Sequence, residues 1–475
     1  MGIIQDAKTI VNQISKAKAY FTENKSLFEI FEGDLLKYVD CKMQEQLSFQ
    51  SYREARHRIA PINVLTKIID KETVIYQQNP TREVVNGTDS DQDLMQWYEE
   101  KMSFNTAMNC SNEFLNLFKN NLIEPYVDSL GNPKLRTYPS HKFWVFSNDA
   151  KDPTRPTHVV VFDSKMTKKG EEKLFRIYTE TEFVIVDESG AIDFESMLMV
   201  ENPDGINVIG ALPFVYVNRS NHMLIPLPDT DTLSMSTLIP ILLTDLNFAV
   251  MFQAFSILYG IDVDVSDLKM SPNAFWQLKS DKTSATGPQI GNIKPQVDID
   301  QVLGLIASQF SLWLNSRGIR PGSIGSLSAD NFASGVSKMI DEMDINDERK
   351  KQAAIYEDVE PRLWDLILKK MHPYWASLGM IENRALFSPN ASVSVVFHPQ
   401  PVTIRRGDMV RDLRDELDAG FISKRRAIKR LNPTMTDKEI DEMLAEIDVE
   451  MMAPEEFESS ETDQQEQEQD GSEME

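Results

Sequence analysis

The sequence predicts an α+β fold that is mainly helical and carries an antiparallel sheet in its middle third. Three features of the chain predict this fold. Residues 1–130 show apolar side chains at helical spacing, residues 134–219 hold short β-type runs between turns, and long apolar or amphipathic runs follow residue 233. A length of 475 residues with 41% apolar residues is enough for about two to four domains with sizeable cores.

The N-terminal part is predicted to be helical because its apolar residues recur about every 3.6 positions. The segment "HRIAPINVLTKIIDKETVIYQQNPTREV" places Ile62, Leu65, Ile68, Ile69 and Val74 on one stripe. The strands are predicted from the β-type runs "KFWVFS", "THVVVFD", "KLFRIYTETEFVIVDE", "FESMLMVEN" and "LPFVYVNRS", with turns at "ESG" and "NPDG".

Two apolar segments stand out in a chain with 26% charged residues and a net charge of −25. The first, "TLIPILLTDLNFAVMFQAFSILYG" (237–260), carries one charge, Asp245, and approaches the length of a membrane span. The second is "IDQVLGLIASQFSLWLNSRG" (299–318). A membrane hairpin is disfavoured by Asp245, Asn247, Gln253 and Pro240 and by the lack of a flanking Lys or Arg cluster.

The remaining segments are predicted from local composition. Residues 261–298, rich in Gly and Pro, are predicted to form short strands and turns, and the Gly/Ser-rich stretch near 319–332 is predicted to be a loop. A long amphipathic helix over about 331–372, a strand in "ASVSVVFHP" and two or three helices over 403–450 follow. The last 25 residues hold ten acidic side chains and no Lys or Arg, a composition typical of disorder.

The sequence offers no recognisable catalytic or cofactor motif. Walker A, G-x-S-x-G and H-E-x-x-H patterns are absent, the six histidines are scattered, and Cys41 and Cys110 form no metal or disulfide framework. The run "GSIGS" (322–326) is compatible with phosphate binding, but it fits a flexible connector better. We therefore predict no enzyme activity, no catalytic residue, no cofactor and no metal.

The order of these elements resembles that of the portal proteins, or head-to-tail connectors, of tailed double-stranded-DNA bacteriophages. Three clusters carry the resemblance: "NVLTKIIDKETVIYQQNPTREV" (63–84), "DTLSMSTLIPILLTDLNFAVMFQAFSILYGIDVDVSD" (231–267) and "IKPQVDIDQVLGLIASQFSLWLNSRGIRPGSIGSLSADNFASGVSKMIDEM" (293–343). In the last cluster, Gly318, Pro321, Ser334 and Gly335 match the family's turn, loop and helix start. The resemblance covers roughly residues 30–450.

The resemblance implies the portal fold, which is built from a wing, a stem, a clip and a crown and assembles as a ring. The implied divisions are an N-terminal arm (1–24), wing (25–232), first stem helix (233–260), clip (261–298), second stem helix (299–318), tunnel loop (319–332), wing return with the long helix (333–402), crown (403–450) and acidic tail (451–475).

The resemblance also implies a function: a ring, usually of twelve copies, through which viral DNA is packaged and ejected at one capsid vertex of the virion, after assembly in the host cytoplasm. The implied partners are double-stranded DNA bound without sequence specificity, the terminase large subunit, the head-tail adaptor, and the major capsid and scaffolding proteins. No membrane partner is implied.

Oligomerisation would explain the apolar stem helices, since neighbouring copies could bury faces that one chain leaves exposed. The residues expected to pack within and between copies are Phe248, Phe252, Phe255, Leu303, Phe310 and Trp313. The residues expected to line the DNA channel are Arg317, Arg320, Ser323, Ser326 and Ser328.

The excess of acidic over basic residues favours a DNA conduit over a protein that binds DNA tightly. High-affinity DNA binding uses many Lys and Arg contacts to phosphate, whereas a like-charged wall lets DNA slide. The densest basic run is "KRRAIKR" (424–430), for which a solvated or salt-bridged helix end is the alternative. The alternative function is a virion adaptor or scaffold-type structural protein without a DNA channel.

Overall fold

The computed structural model describes most of the chain, which divides into two compact units, Met1–Gln400 and Pro401–Glu475. It does not describe residues 1–2, 50–51, 54–55, 150–151, 153, 168–169, 256, 262–288, 294–297, 320–334, 399–405, 433–439, 441–442 and 446–475. The division falls two residues before the predicted start of the crown at residue 403. The predicted tunnel loop apart from Ile319, most of the clip and the acidic tail lie outside the described residues.

The structure is 54% helical and 18% strand, and this mixture of helices with antiparallel sheets agrees with the predicted α+β class. The helices are α1 (Ile3–Lys16), α2 (Lys18–Phe31), α3 (Leu35–Gln46), α4 (Leu65–Glu72), α5 (Asp89–Lys101), α6 (Phe104–Phe118), α7 (Phe194–Met199), α8 (Thr230–Phe255), α9 (Ile299–Ser316), α10 (Gly335–Asp365), α11 (His372–Ser377), α12 (Arg406–Asp418) and α13 (Lys424–Leu431). A π-helical segment, Leu366–Met371, joins α10 to α11.

The sheets are antiparallel, as the sequence predicted. The strand predicted in "FESMLMVEN" is wrong: this run forms α7, because Asp193 caps a helix there by accepting from the backbone N–H of Ser196. The strands are β1 (Thr81–Val85), β2 (Asn120–Val127), β3 (Pro133–Tyr138), β4 (Phe143–Phe146), β5 (His158–Thr167), β6 (Gly170–Tyr178), β7 (Phe183–Asp187), β8 (Val215–Asn218), β9 (Ile257–Ile261), β10 (Gln289–Ile293) and β11 (Ser392–Val396). They form a four-stranded sheet in the order β4-β5-β6-β7, a three-stranded sheet β3-β2-β8, and the pairs β1-β11 and β9-β10.

The largest apolar core joins α5, α6 and strands β2, β8 and β11 to the long helix α10. Phe104 stacks on Trp364 with their ring centroids 4.4 Å apart, and both side chains are fully buried. The buried guanidinium of Arg82 on β1 pairs with Glu360 on α10 at 2.7 Å, which satisfies a charge inside this core. The long helix therefore packs against helices and strands from earlier in the first unit.

The segment predicted as an N-terminal arm, residues 1–24, contains α1 and the first part of α2. Helix α1 buries Ala7, Ile10, Val11 and Ile14 against the four-stranded sheet, where they meet residues such as Ile177. The four residues lie at i, i+3, i+4 and i+7, the spacing of one helix face. This helix is part of the core because the sheet offers it an apolar surface.

The stripe predicted over residues 62–74 is divided between a short helix and a following turn. Leu65, Ile68 and Ile69 are fully buried in α4, but Ile62 precedes the helix and is half exposed. The strand β1 was not predicted; it pairs with β11, about 300 residues later in the chain. Its short run "TREVV" forms a strand because that distant partner supplies the hydrogen bonds.

The second unit contains the helices α12 and α13. Ser423 caps α13 by accepting a hydrogen bond from the backbone N–H of Arg426 at 3.4 Å, and Ala427 is buried. Arg430 pairs with Glu416 of α12 at 2.9 Å. Part of the basic run 424–430 is thus salt-bridged, which was the alternative interpretation of this run.

Candidate functional site: the paired apolar helices and their base

The two apolar segments contain the helices α8 and α9, which pack against each other. The helix predicted over residues 233–260 is described only to Phe255, and Ile257–Ile261 form β9 because they pair with β10. Asp298 caps α9 by accepting from the backbone N–H of Gln301 at 3.2 Å, and Asp229 accepts from that of Thr232 at 3.3 Å at the start of α8. Beyond the far end of α8, β9 and β10 pair in register from Ile257 opposite Ile293 to Ile261 opposite Gln289. The helices and the ladder form one hairpin-like unit leading to residues 262–288.

The packed side of this helix pair is an apolar cluster. Ile239 of α8 and Trp313 and Leu314 of α9 are buried together with Ile68 of α4. Phe310 packs against this cluster, and its ring centroid lies 6.0 Å from that of Trp313. These contacts fix the pair to α4 at the end where α8 begins and α9 ends. We call this end the base of the helix pair.

The structure describes the side chains of some of the predicted packing residues but not of others. Phe248 is half-buried against the cluster formed by α2, α3, α4 and α6, and Leu303 is half-buried. Phe252 and Phe255 lie in the last turns of α8, where the backbone is described and the side chains are not. Packing between copies stays a prediction for all six residues.

The outward side of the helix pair leaves large apolar side chains exposed. Leu305 is 56% and Leu312 is 70% exposed on α9, and Leu238 and Val250 on α8 are more than a third exposed. Among the described helices, the segment Thr230–Val250 is long and apolar enough to cross a membrane, and about a third of it (33%) is buried. One such helix is weak evidence of a membrane span, because the core helices of other proteins share its length and composition.

Arg317, which follows α9, holds the base of the helix pair together. Its Nε and Nη2 atoms donate to Oε1 and Oε2 of Glu72, each at 2.8 Å, and Nη1 donates to Oδ2 of Asp229 at 2.8 Å. Nη1 also donates to the hydroxyl of Thr232. One guanidinium thereby joins the end of α9, the start of α8 and the end of α4, using the bidentate geometry that distinguishes Arg from Lys.

The electrostatics of this base depend on burial. The side chains of Arg317, Glu72 and Asp229 are 13%, 8% and 13% exposed. Burial raises the pKa of Glu72, and the two bonds from Arg317 oppose that rise. Burial also acts against ionisation of Asp229, but Arg317 outweighs it and holds the pKa of Asp229 below its ordinary value.

This geometry corrects the expectation that Arg317 faces DNA. Its charge is neutralised by two carboxylates of its own chain, so the guanidinium is not available to a phosphate in the described chain. The other expected channel residues, Arg320, Ser323, Ser326 and Ser328, lie outside the described residues. Their place in a channel stays a prediction.

The base continues into a polar network that reaches the long helix α10. Gln352 of α10 donates to the backbone carbonyl of Glu72 at 2.8 Å and accepts from the side chain of Asn112 at 2.8 Å. Sequence reasoning missed Glu72, Asp229 and Gln352. No local signal marks them, because Glu72 and Arg317 are 245 residues apart and are brought together only by the fold.

The described residues contain no group of His, Cys, Asp or Glu side chains that could hold a metal ion. Comparison with protein-family models and with curated proteins found no match for this chain. The helix pair, its exposed apolar face and its base are the features of the described chain that point to a function.

Proposed function

We propose that this chain is the subunit of a phage portal ring, through which viral double-stranded DNA is packaged and ejected. The observation that carries the proposal is the pair of apolar helices, α8 and α9, whose outward residues Leu305 and Leu312 are exposed in the single chain. Apolar surface of this kind is stabilised when a neighbouring copy covers it. In a ring, each pair would be flanked by the pairs of two neighbours.

The anchoring of the helix pair supports a role as a rigid stem. Arg317 fastens both helices to α4, and β9 and β10 close the opposite end. A channel wall of this kind would hold its shape while DNA passes. The net charge of −25 per chain supports weak, sequence-independent contact with DNA rather than tight binding.

Under this proposal, the ring occupies one capsid vertex of the virion, docks the terminase large subunit during packaging and the head-tail adaptor afterwards, and meets the capsid and scaffolding proteins. Its role is structural and needs neither a cofactor nor catalysis. The resemblance of the element order to portal proteins supports these assignments.

The test is the assembly state of the purified chain. A ring of twelve 54.2 kDa chains would have a mass of about 650 kDa and would show a central channel in negative-stain images. The double variant Leu305→Asp/Leu312→Asp should prevent ring formation, because its new charges would lie unpaired in the contact between copies. Since both side chains are exposed in the single chain, the variant should still fold.

The matched control is Leu130→Asp/Leu227→Asp, which changes two leucines that are 84% and 71% exposed and lie outside the helix pair. This variant should form rings at the wild-type yield. Rings formed normally by Leu305→Asp/Leu312→Asp would contradict the stem assignment. A purified wild-type chain that gives only smaller particles without a channel would support the alternative, an adaptor or scaffold-type virion protein.

A further inference from the structure

A second exposed apolar surface lies on the first unit, away in sequence from the helix pair. Between residues 194 and 208, six large apolar side chains are 40–72% exposed. We call it the 194–208 surface; its apolar members are Phe194, Leu198, Met199, Val200, Ile206 and Val208. So many exposed apolar residues within fifteen positions are unusual in a folded chain and typical of a binding surface.

The short helix α7 has large apolar side chains that are exposed to solvent. Ser196 and Met197 are its buried residues, and the Met197 sulfur accepts from the backbone N–H of Ile185 on β7 at 3.2 Å. Phe194 and Leu198 are four positions apart, so they lie on the same side of the helix, and both are exposed. Ser196 and Met197 thus hold the helix to the sheet, and Phe194, Leu198 and Met199 stay exposed.

The turn after α7 is also fixed. Glu201 adopts a left-handed backbone conformation with φ of 55°, and the N–H of Asn202 donates to the carbonyl of Met197 at 3.1 Å, which closes the helix end. The side chain of Asn202 then bonds both the N–H and the carbonyl of Ile206. Because these bonds hold the backbone, the exposed side chains form a preorganised surface.

The charges of this surface are predominantly acidic in the described residues. Glu195, Glu201 and Asp204 are exposed and lie between the apolar residues in sequence. The nearby cation Lys165 is paired with both Asp193 and Glu195 at 2.9 Å. A ligand of this surface must therefore combine apolar anchors with positive charge.

The shape of the region decides between a strand and a helix as the ligand. β7 is the outer strand of its sheet, but bridges from Glu182 to Ile206 and from Val186 to Ile192 occupy its free side. Addition of another strand at this edge is therefore blocked. Packing of a helix onto the side chains of α7 and the following turn remains open.

We propose that the 194–208 surface binds a basic amphipathic helix of another protein, with leucine-like residues on one face and Lys or Arg beside them. Pairing of this surface with the same surface of a second copy is disfavoured, because the acidic residues Glu195, Glu201 and Asp204 of the two copies would face each other. An anionic lipid surface is disfavoured for the same reason. The proposal does not depend on ring formation.

The probe is a fluorescent helical peptide made only of leucine and lysine, titrated with the full-length chain and followed by anisotropy. Phe194→Ser/Leu198→Ser/Met199→Ser should weaken binding at least about tenfold, because it removes the apolar anchors. Glu195→Lys/Glu201→Lys/Asp204→Lys should weaken binding of this peptide and strengthen binding of a leucine–glutamate peptide. The matched control, Leu36→Ser/Leu130→Ser/Leu227→Ser, changes three exposed leucines elsewhere and should bind the leucine–lysine peptide like wild type.

Equal binding by the wild type and the 194–208 triple serine variant would overturn the proposal, since general attraction to an acidic chain would then explain the signal. Binding of the wild type, but not of this variant, to phosphatidylglycerol vesicles would assign the surface to lipid and would also overturn it. So would a loss of self-association confined to this variant. Failure of ring assembly with peptide binding intact would contradict the portal proposal alone.

Discussion

Replacement of Arg317 by methionine should strongly destabilise the first unit. The substitution keeps an unbranched side chain but removes the bonds to Glu72 and Asp229, which are 2.8 Å long, and leaves both carboxylates almost buried, at 8% and 13% exposure. Removing one partner of a buried ion pair costs about 3–5 kcal/mol, and the residual exposure places this site near the lower end of that range. We therefore expect a loss of about 3 kcal/mol in the free energy of unfolding.

The pH dependence of that loss distinguishes an electrostatic role from simple packing. In the wild type, Arg317 holds the pKa of Asp229 below its ordinary value, so this contribution to stability is present above the unfolded pKa of about 3.9 and is lost as the pH falls. In Arg317→Met, burial alone would raise the pKa of both carboxyls. Protonation would then relieve the penalty, so the difference between variant and wild type should shrink from pH 7 to pH 4.5.

The assay is urea-induced unfolding followed by tryptophan fluorescence at both pH values, since Trp313 lies in the cluster above this base. Adding Glu72→Gln to Arg317→Met should recover part of the loss, because it removes one of the unpaired charges. Lys173→Met is the matched control; it breaks an exposed pair with Glu188 (72% and 63% exposed) and should leave the midpoint nearly unchanged. A loss for Arg317→Met that is equal at pH 7 and pH 4.5 would refute the electrostatic explanation.

Two further predictions concern the first unit. Burial lowers the pKa of His141 to about 4, so below about pH 6.5 this side chain takes up a proton in the unfolded chain but not in the folded chain. The free energy of unfolding should therefore fall as the pH drops from 6.5 to 4, and the urea midpoint of His141→Phe should fall less steeply than that of the wild type. An equal slope for the two proteins would contradict this assignment. Lys119 caps α6 with a left-handed φ of 68°, a conformation that costs less for glycine than for other residues. Lys119→Gly should therefore raise the free energy of unfolding by about 1 kcal/mol, whereas Lys119→Ala should not. Equal melting temperatures for the two variants would show that the backbone is unstrained there.

The sequence alone was sufficient for the fold class and for most long elements. Apolar residues at helical spacing identified the helical N-terminal region, and β-branched runs between turns identified the strands from β4 to β8. Composition also identified α8 and α9, because a long run with one charge is conspicuous in a chain with 26% charged residues. These features are local, so they can be read from neighbouring positions.

The base of the helix pair could not be predicted in this way. The channel expectation for Arg317 came from its position beside a Gly/Ser-rich loop, whereas Glu72 and Asp229 neutralise it from 245 and 88 positions away. A lone arginine in a sequence carries no mark of its partner, because ion pairs depend on distance in space. The same reason explains the unpredicted strand β1, whose hydrogen bonds come from β11.

The sequence by itself determined an acidic, mainly helical α+β chain with two apolar helices and no recognisable catalytic motif. Only the tertiary structure decided which faces of those helices are covered, that Arg317 joins α4, α8 and α9, and that α7 turns Phe194 and Leu198 outward. Periodicity shows that a helix has an apolar face, but burial depends on whether another part of the fold reaches that face. In this chain, Leu312 and Leu198 are apolar residues that the described fold leaves exposed.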